Sequence, residues 1–226
     1  DIDADEIEAY DSDAVATRKK LSLKAVDLTI DLTASGANGL DSGAEAADTT
    51  YFLWVCCKSD GTGTMGMFST SSTISGLAKP SVYSDGYFRL VGFARNDASS
   101  NLIDFIQRGA LYSFDDQAAS ITSVANPNWT AAAVGDIPSA KLIEMRGYFW
   151  VEEASQTWRK CGFRREGTGA NAWFDAALYS SLNSDALAGM RMWVQIPPGI
   201  NSQNQIEMKS ANGTAKFHVQ QVVLDI

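Results

Sequence analysis

Thiol and imidazole chemistry in this chain would have to use one histidine and three cysteines. His218 is the single histidine, and no Gly-x-Ser-x-Gly nucleophile elbow accompanies it. Cys56 and Cys57 are neighbours on one predicted strand, so their side chains point to opposite faces, and no Cys-x-x-Cys zinc spacing involves them or Cys161. We therefore interpret the thiols as buried, reduced and packed as small hydrophobic groups, and His218 as a structural or surface residue. The sequence predicts no metal site and no cofactor.

Glycoside hydrolysis is the other chemistry for which residues exist, because it needs two carboxyl groups that face one cleft. The acidic candidates lie in the aromatic-rich C-terminal half: Glu144, Glu152, Glu153, Glu166 and Asp175. Glu144 and Glu152 have the same strand parity, so both fit outward-facing positions of one strand. We therefore predict no catalytic residue and keep a glycan-cleaving depolymerase as an alternative.

The loop from Gly36 to Gly43 carries Asn38 and Asp41, whose side-chain oxygens could ligate calcium. Calcium sites usually contain more carboxylates than this loop supplies. We therefore expect these two side chains to bond the backbone of their own turn.

Five of the six tryptophans divide into two groups by their neighbours. Trp150 and Trp193 lie in predicted strands with the parity of polar residues, so they face away from the main core and predict a subunit interface. Trp129, Trp158 and Trp173 lie beside polar turn residues. These three could stack on the faces of sugars or pack under loops.

A local basic patch stands out in an otherwise neutral region. It consists of Arg159, Lys160, Arg164 and Arg165. Such a cluster is typical of a solvated strand edge that discourages edge-to-edge pairing. It could also form an interface that receives an acidic element from a neighbouring subunit.

The acidic element is the N-terminus. Residues 1–13 contain seven acids and no base, which leaves −2 of the total formal charge of −9 for the rest of the chain. Residues 1–20 are predicted as an extended arm that orders against a neighbouring subunit. A nearly neutral body argues against nucleic-acid binding, and no run of eighteen apolar residues predicts a membrane span.

The remaining pattern is that of short strands between turns. The apolar run Tyr51–Cys57 predicts a buried strand with Trp54 in the core, and alternation predicts strands over 143–151, 190–196, 205–209 and 215–224. Residues 102–107 are predicted to pair with the preceding strand across a polar turn. In 21–33 the apolar parity changes, which predicts a bulge or break near Ala25.

This pattern predicts an all-β fold, specifically an antiparallel, jelly-roll-like β-sandwich with an extended N-terminal arm. The predicted domains are the arm, 1–20, and one sandwich, 21–226, with a sub-boundary considered near 127–140.

The order of several segments between Leu28 and Gly109 resembles a β-sandwich module of tailed-bacteriophage virion proteins. These segments are 36–43 (GANGLDSG), the aromatic strand 51–57, the Gly-containing turn 60–63, 68–71 (FSTS) and 86–92 (GYFRLVG). The resemblance implies a tail-fibre, head-fibre or minor virion protein that assembles as a homotrimer.

With no catalytic set predicted, the resemblance implies a non-enzymatic structural component of a phage particle, located in the virion and assembled in the host bacterial cytoplasm. Its partners would be further copies of itself, other virion proteins and a host-surface glycan. A lectin-like carbohydrate-binding module for host attachment is the first alternative.

Overall fold

The computed structural model describes residues 1–114, 121–125, 128, 130–133, 142–152, 161–165, 192–196, 205–210 and 214–224. These residues form β-strands and two short 3-10 turns, and no α-helix occurs among them. The predicted all-β class is therefore confirmed. In the part of the chain that is described, no helix is long and apolar enough to cross a membrane.

The chain divides into two compact units, Asp1–Leu102 and Ile103–Asp225. This division lies upstream of the region 127–140, where the sequence suggested a sub-boundary. It also leaves residues 1–20 inside the first unit.

The first unit contains one six-stranded sheet. Its strands are β1 (Ile2–Tyr10), β2 (Lys20–Leu28), β3 (Gly39–Leu40), β4 (Thr50–Cys57), β5 (Met65–Ser69) and β6 (Tyr87–Arg95), with 3-10 turns at Ile74–Gly76 and Ser81–Tyr83. Their order in the sheet is β2-β1-β6-β4-β5-β3. Neighbouring strands are antiparallel except β3 and β5, which are parallel.

The described residues of the second unit form two sheets. Its strands are β7 (Phe105–Arg108), β8 (Leu111–Phe114), β9 (Ile121–Val124), β10 (Thr130–Ala133), β11 (Leu142–Glu152), β12 (Cys161–Arg165), β13 (Met192–Ile196), β14 (Gln205–Ser210) and β15 (Thr214–Leu224). One sheet has the order β13-β11-β15-β8-β7, with β9 also paired to β15, and the other has the order β10-β14-β12. The strands predicted over 143–151, 190–196, 205–209 and 215–224 correspond to β11, β13, β14 and β15.

The predicted N-terminal arm is not confirmed, because residues 2–10 form strand β1 of the first sheet. Strand β1 pairs with β2 along its whole length, and apolar residues lie opposite one another at Ile7–Leu23 and Ala9–Leu21. Two of its acids alternate with these residues and form ion pairs with lysines of β2: Lys24 lies 2.5 Å from Glu6, and Lys20 lies 3.5 Å from Glu8. The acidic segment therefore folds because β2 supplies both an apolar face and compensating charge.

A predicted break at Ala25 is confirmed. Ala25 has φ 50°, a left-handed conformation that L-residues adopt rarely. Leu23 before it and Val26 after it are both buried although their parities differ. Strand β1 changes its buried parity at the same level of the hairpin, so the register between the two strands continues without a shift.

Strand β4 forms the centre of the first unit and is covered on both faces. Val55 and Cys57 belong to a cluster that also contains Ile7 and Leu23 of the hairpin. On the other face, Trp54 is 3% exposed and its Nε1 donates a hydrogen bond to the Ser71 carbonyl at 3.0 Å. Trp54 is thus a core residue, as the sequence predicted.

In the second unit, two irregularities keep one face of β11 and β15 directed to the core. The register between the strands shifts between Leu142 and Glu144 and again between Arg146 and Gly147. As a result, the buried apolar positions of β15 are odd up to Val219 and even from Val222 onward. The residues of this face are almost completely buried: Met145, Phe217, Val219, Val222 and Leu224.

Candidate functional site

The sheet face opposite this core carries the positions of Trp150 and Trp193, two of the residues for which the sequence predicts an interface. Tyr148 of β11 lies directly opposite Trp193 of β13 on one side and His218 of β15 on the other. Trp150 lies two positions beyond Tyr148, opposite Lys216. Because strand positions alternate between faces, Tyr148, Trp150 and Trp193 occupy positions on one face, which we call the aromatic face. The side chains of Trp150 and Trp193 lie outside the described part of the chain.

The aromatic face continues into polar residues along β11. The Arg146 Nε donates a hydrogen bond to the Glu144 carboxylate, and both side chains are about a quarter to a third exposed. In the neighbouring row, the Gln221 amide donates to the Ser113 hydroxyl at 3.1 Å. Glu144, one of the carboxylates considered for glycan cleavage, is therefore held in an ion pair on this face. Glu152 is the last residue of β11, while Glu153, Glu166 and Asp175 lie outside the described residues.

His218 is part of this sheet and is 5% exposed. It lies between Phe217 and Val219, whose side chains fill the core on the opposite face. Its position between Tyr148 and Ile121 in the register makes it a buried strand residue. This agrees with the structural role that the sequence predicted.

Close approach of β11 and β15 beside Tyr148 depends on Gly147. A Cβ atom at this position would lie 1.9 Å from the His218 carbonyl oxygen and 2.9 Å from the Val219 Cα. Both contacts are with backbone, which cannot move aside as a flexible side chain can. Gly147 therefore lets the register place Tyr148 opposite His218.

The predicted basic patch falls on strand β12. Arg164 lies opposite Glu207 of β14, and Arg165 lies opposite Ile206. Among the described strands, β12 pairs with β14 alone, so it is an edge of its three-stranded sheet. Arg159 and Lys160 lie outside the described residues, so the complete patch stays a prediction.

The sugar-stacking candidates Trp129, Trp158 and Trp173 also lie outside the described residues. Binding of a sugar at these positions stays a prediction.

The thiols of β4 are buried and free, as the sequence predicted. Both Cys56 and Cys57 are 0% exposed and neither forms a disulfide. Burial raises the pKa of Cys56 to about 12, with a smaller contribution from Cys57 beside it, and burial also raises the pKa of Cys57. Because the thiolate is the nucleophile, these groups are poorly suited to covalent chemistry at neutral pH. Cys161 is the first residue of β12, and its side chain lies outside the description.

Asn38 and Asp41 bond to backbone, but to other segments rather than to their own turn. The Asn38 side-chain oxygen accepts the Gly66 N–H at 2.8 Å, and Asp41 accepts the Ala78 N–H at 3.0 Å. These contacts fix the loop on β5 and on the segment after the first 3-10 turn. Within the described ranges, no group of three or more His, Cys, Asp or Glu side chains could hold a metal ion.

A polar cluster at the end of β6 was missed by the sequence reasoning. Arg95 is 8% exposed and donates to the Asp48 carbonyl at 3.1 Å, while Asn96 is fully buried and donates to the Glu45 carboxylate at 2.8 Å. These bonds fix the loop 44–49 against the strand. The sequence does contain a signal for this cluster, because a charged residue and an amide residue directly follow the buried pair Phe93–Ala94.

Comparison of the chain with protein-family models, with curated proteins and with solved structures finds no significant match.

Proposed function

We propose that this chain is a non-enzymatic structural component of a bacteriophage particle, as a fibre or minor virion protein. It associates with itself, as a homotrimer, and with other virion proteins. The attribution to a phage rests on the order of segments between Leu28 and Gly109. Its location would then be the virion, after assembly in the host bacterial cytoplasm.

The single observation that supports an assembly role is the aromatic face of the second unit. The register gives Trp150, Trp193 and Tyr148 positions on the face opposite the buried core. Tryptophan and tyrosine combine a large apolar area with a polar group, and they are enriched in interfaces between subunits. Trimerisation through this face would cover the two tryptophans.

The finer fold that goes with this proposal is an antiparallel, jelly-roll-like β-sandwich. Two features of the first unit support it: β4 is covered on both faces, and the hairpin of β1 and β2 packs against Val55 and Cys57. The N-terminal strand is part of that packing.

The experiment that tests the proposal compares the native mass of the unaltered chain with that of a Trp150→Gln/Trp193→Gln variant. Light scattering after size exclusion should give about 73 kDa, three times the 24.3 kDa of one chain, for the unaltered protein. The variant should dissociate, whereas the control Val15→Gln, at a residue that is 75% exposed in the first unit, should remain a trimer. A variant that stays trimeric would contradict the role of the aromatic face.

Two further measurements separate the other functions. Glycan binding that is lost in Trp129→Ala or Trp158→Ala would favour a lectin-like module for host attachment. Release of reducing ends from a polysaccharide, abolished by Glu144→Gln or Glu152→Gln, would identify a depolymerase and overturn the non-enzymatic proposal.

A further inference from the structure

Three cations lie close to Tyr10 and Phe88, at the junction of β1 and β6. The Arg18 guanidinium carbon lies 3.7 Å from the centroid of the Tyr10 ring, and that of Arg89 lies 5.8 Å from the same centroid. The two guanidinium groups are therefore at most about 9.5 Å apart, the sum of these distances. Tyr10 pairs with Phe88 across the strands, and the Lys79 ammonium lies 4.7 Å from the centre of the Phe88 ring. Three cations thus contact one pair of adjoining aromatic residues.

The guanidinium of Arg18 has unused donors. A guanidinium stacked on a ring retains its five N–H donors, which lie in its own plane and point outward. Among the described residues, no acceptor bonds the Arg18 side chain, and no carboxylate forms an ion pair with Arg18 or Lys79. Arg18 is only partly exposed, so the ring orders its guanidinium before any ligand arrives.

The loop that carries Arg18 is itself fixed. The Arg18 N–H donates to the Ala14 carbonyl at 3.0 Å, and the Lys19 N–H donates to the Asp11 carboxylate at 2.8 Å. Asp13 accepts the N–H groups of Ile74 and Ser75 at 3.1 and 3.2 Å, which ties the loop to the first 3-10 turn. Little conformational entropy therefore remains to be lost at Arg18 on binding.

One carboxylate, Glu8, lies at the edge of this cluster. It accepts a hydrogen bond from the Tyr10 hydroxyl at 2.9 Å and lies 3.5 Å from the Lys20 ammonium. The Tyr10 hydroxyl is the main cause of the lowered pKa of Glu8, and Lys20 and Arg89 lower it further. Glu8 is therefore ionised at neutral pH and bound to groups other than Arg18.

We propose that Tyr10, Arg18 and Arg89 form a binding site for a small oxyanion group, with Lys79 as an additional cation beside it. The planar fork of a guanidinium matches the geometry of phosphate, sulfate and carboxylate groups. Tyr10, Arg18, Lys79 and Arg89 are all partly exposed, so solvent reaches each of these side chains. The site is independent of the proposed particle role, because it lies in another unit from the aromatic face.

The test is a titration of the intact chain with sodium phosphate, sodium sulfate and sodium citrate, each compared with sodium chloride at equal ionic strength. The Nε–Hε resonance of Arg18 in nuclear magnetic resonance spectra reports on binding. We expect saturable shifts with at least one of the three oxyanions and none with chloride. The most effective anion indicates whether tetrahedral or carboxylate oxyanions are preferred. Shifts that chloride reproduces would show ionic screening only and would overturn the proposal.

Two variants and a matched control sharpen this test, with calorimetry on the same anion as the readout. Arg18→Gln should weaken binding about tenfold or more, because a hydrogen bond to a charged group is lost. Glu8→Gln should tighten it, because a carboxylate that repels the ligand is removed. Lys24→Gln removes one positive charge from the same hairpin, next to Glu6, and should leave the affinity unchanged. Equal affinities in Arg18→Gln and Lys24→Gln would contradict the site.

Discussion

Replacing Gly147 with alanine should destabilise the second unit strongly, although alanine usually stabilises a strand relative to glycine. The usual gain is about 0.5–1 kcal/mol, because glycine loses more backbone entropy on folding. At this position the new Cβ atom would lie 1.9 Å from the His218 carbonyl oxygen. The sign of the change in stability therefore distinguishes the steric clash from the general preference for alanine over glycine.

The magnitude follows from the displacement that the clash requires. Ordinary van der Waals contact begins at 3.4 Å, so β11 and β15 must separate by roughly 1.5 Å near Gly147. A backbone hydrogen bond of about 2.9 Å stretched by this amount no longer qualifies as one. Loss of two such bonds at about 1 kcal/mol each, with overpacking strain of 1–3 kcal/mol, gives a cost of about 3 kcal/mol or more.

The assay is hydrogen exchange measured by mass spectrometry on peptides that cover β11 and β15. A loss of about 3 kcal/mol corresponds to exchange that is roughly 100-fold faster in these strands. Gly109→Ala is the matched control. Gly109 has φ 59° and nothing within 4 Å of the added Cβ, so only backbone strain of about 1–2 kcal/mol applies there. If the exchange rate of β11 in Gly147→Ala stays within threefold of the rate in the unaltered chain, the predicted clash does not occur.

Two other predictions concern the first unit. Ala25→Gly should raise its stability by up to about 1 kcal/mol, measured by urea denaturation, because glycine adopts the φ of 50° without strain; a less stable variant would contradict this. Cys56 and Cys57 should resist alkylation at pH 8 in the native chain and react rapidly in denaturant, as read by peptide mass mapping, because burial raises the pKa of both thiols. Since an acid with a raised folded-state pKa stabilises the fold only while it stays protonated, stability should also fall as the pH rises from about 9 towards 12. Rapid labelling of the native thiols would show that β4 is not the buried centre of the sheet.

Features that depend on a single segment can be predicted from the pattern of apolar residues in that segment. The apolar parity of 21–33 changes once, and the conformation of Ala25 is the physical cause. The alternation in 143–151 and 215–224 likewise identifies β11 and β15. In β15 the parity changes between Val219 and Val222, which is a readable sign of the bulge that the structure contains.

Features that depend on pairing between distant segments were not predicted. The sequence predicts an arm over residues 1–20 because acids dominate the composition of its first thirteen residues. The apolar parity of that segment nevertheless changes between Ala4 and Ile7, which mirrors the change between Leu23 and Val26. Only the alignment of the two segments shows that Lys24 stands opposite Glu6.

The division into two units also depends on pairing between distant segments. Residues 102–107 were expected to pair with the strand before them, but only a single bridge joins Asn96 and Leu102. Strand β7 instead pairs with β8, which pairs with β15 more than a hundred residues later in the chain. No local pattern encodes a partner at that distance.

The central proposal is that this chain provides surfaces for assembly with other copies of itself. Sedimentation equilibrium of the unaltered chain at several concentrations and at physiological salt tests it most directly. We expect one species of about 73 kDa, three times the chain mass of 24.3 kDa. This trimer should persist as the protein is diluted. A mass of 24.3 kDa at every concentration would contradict it.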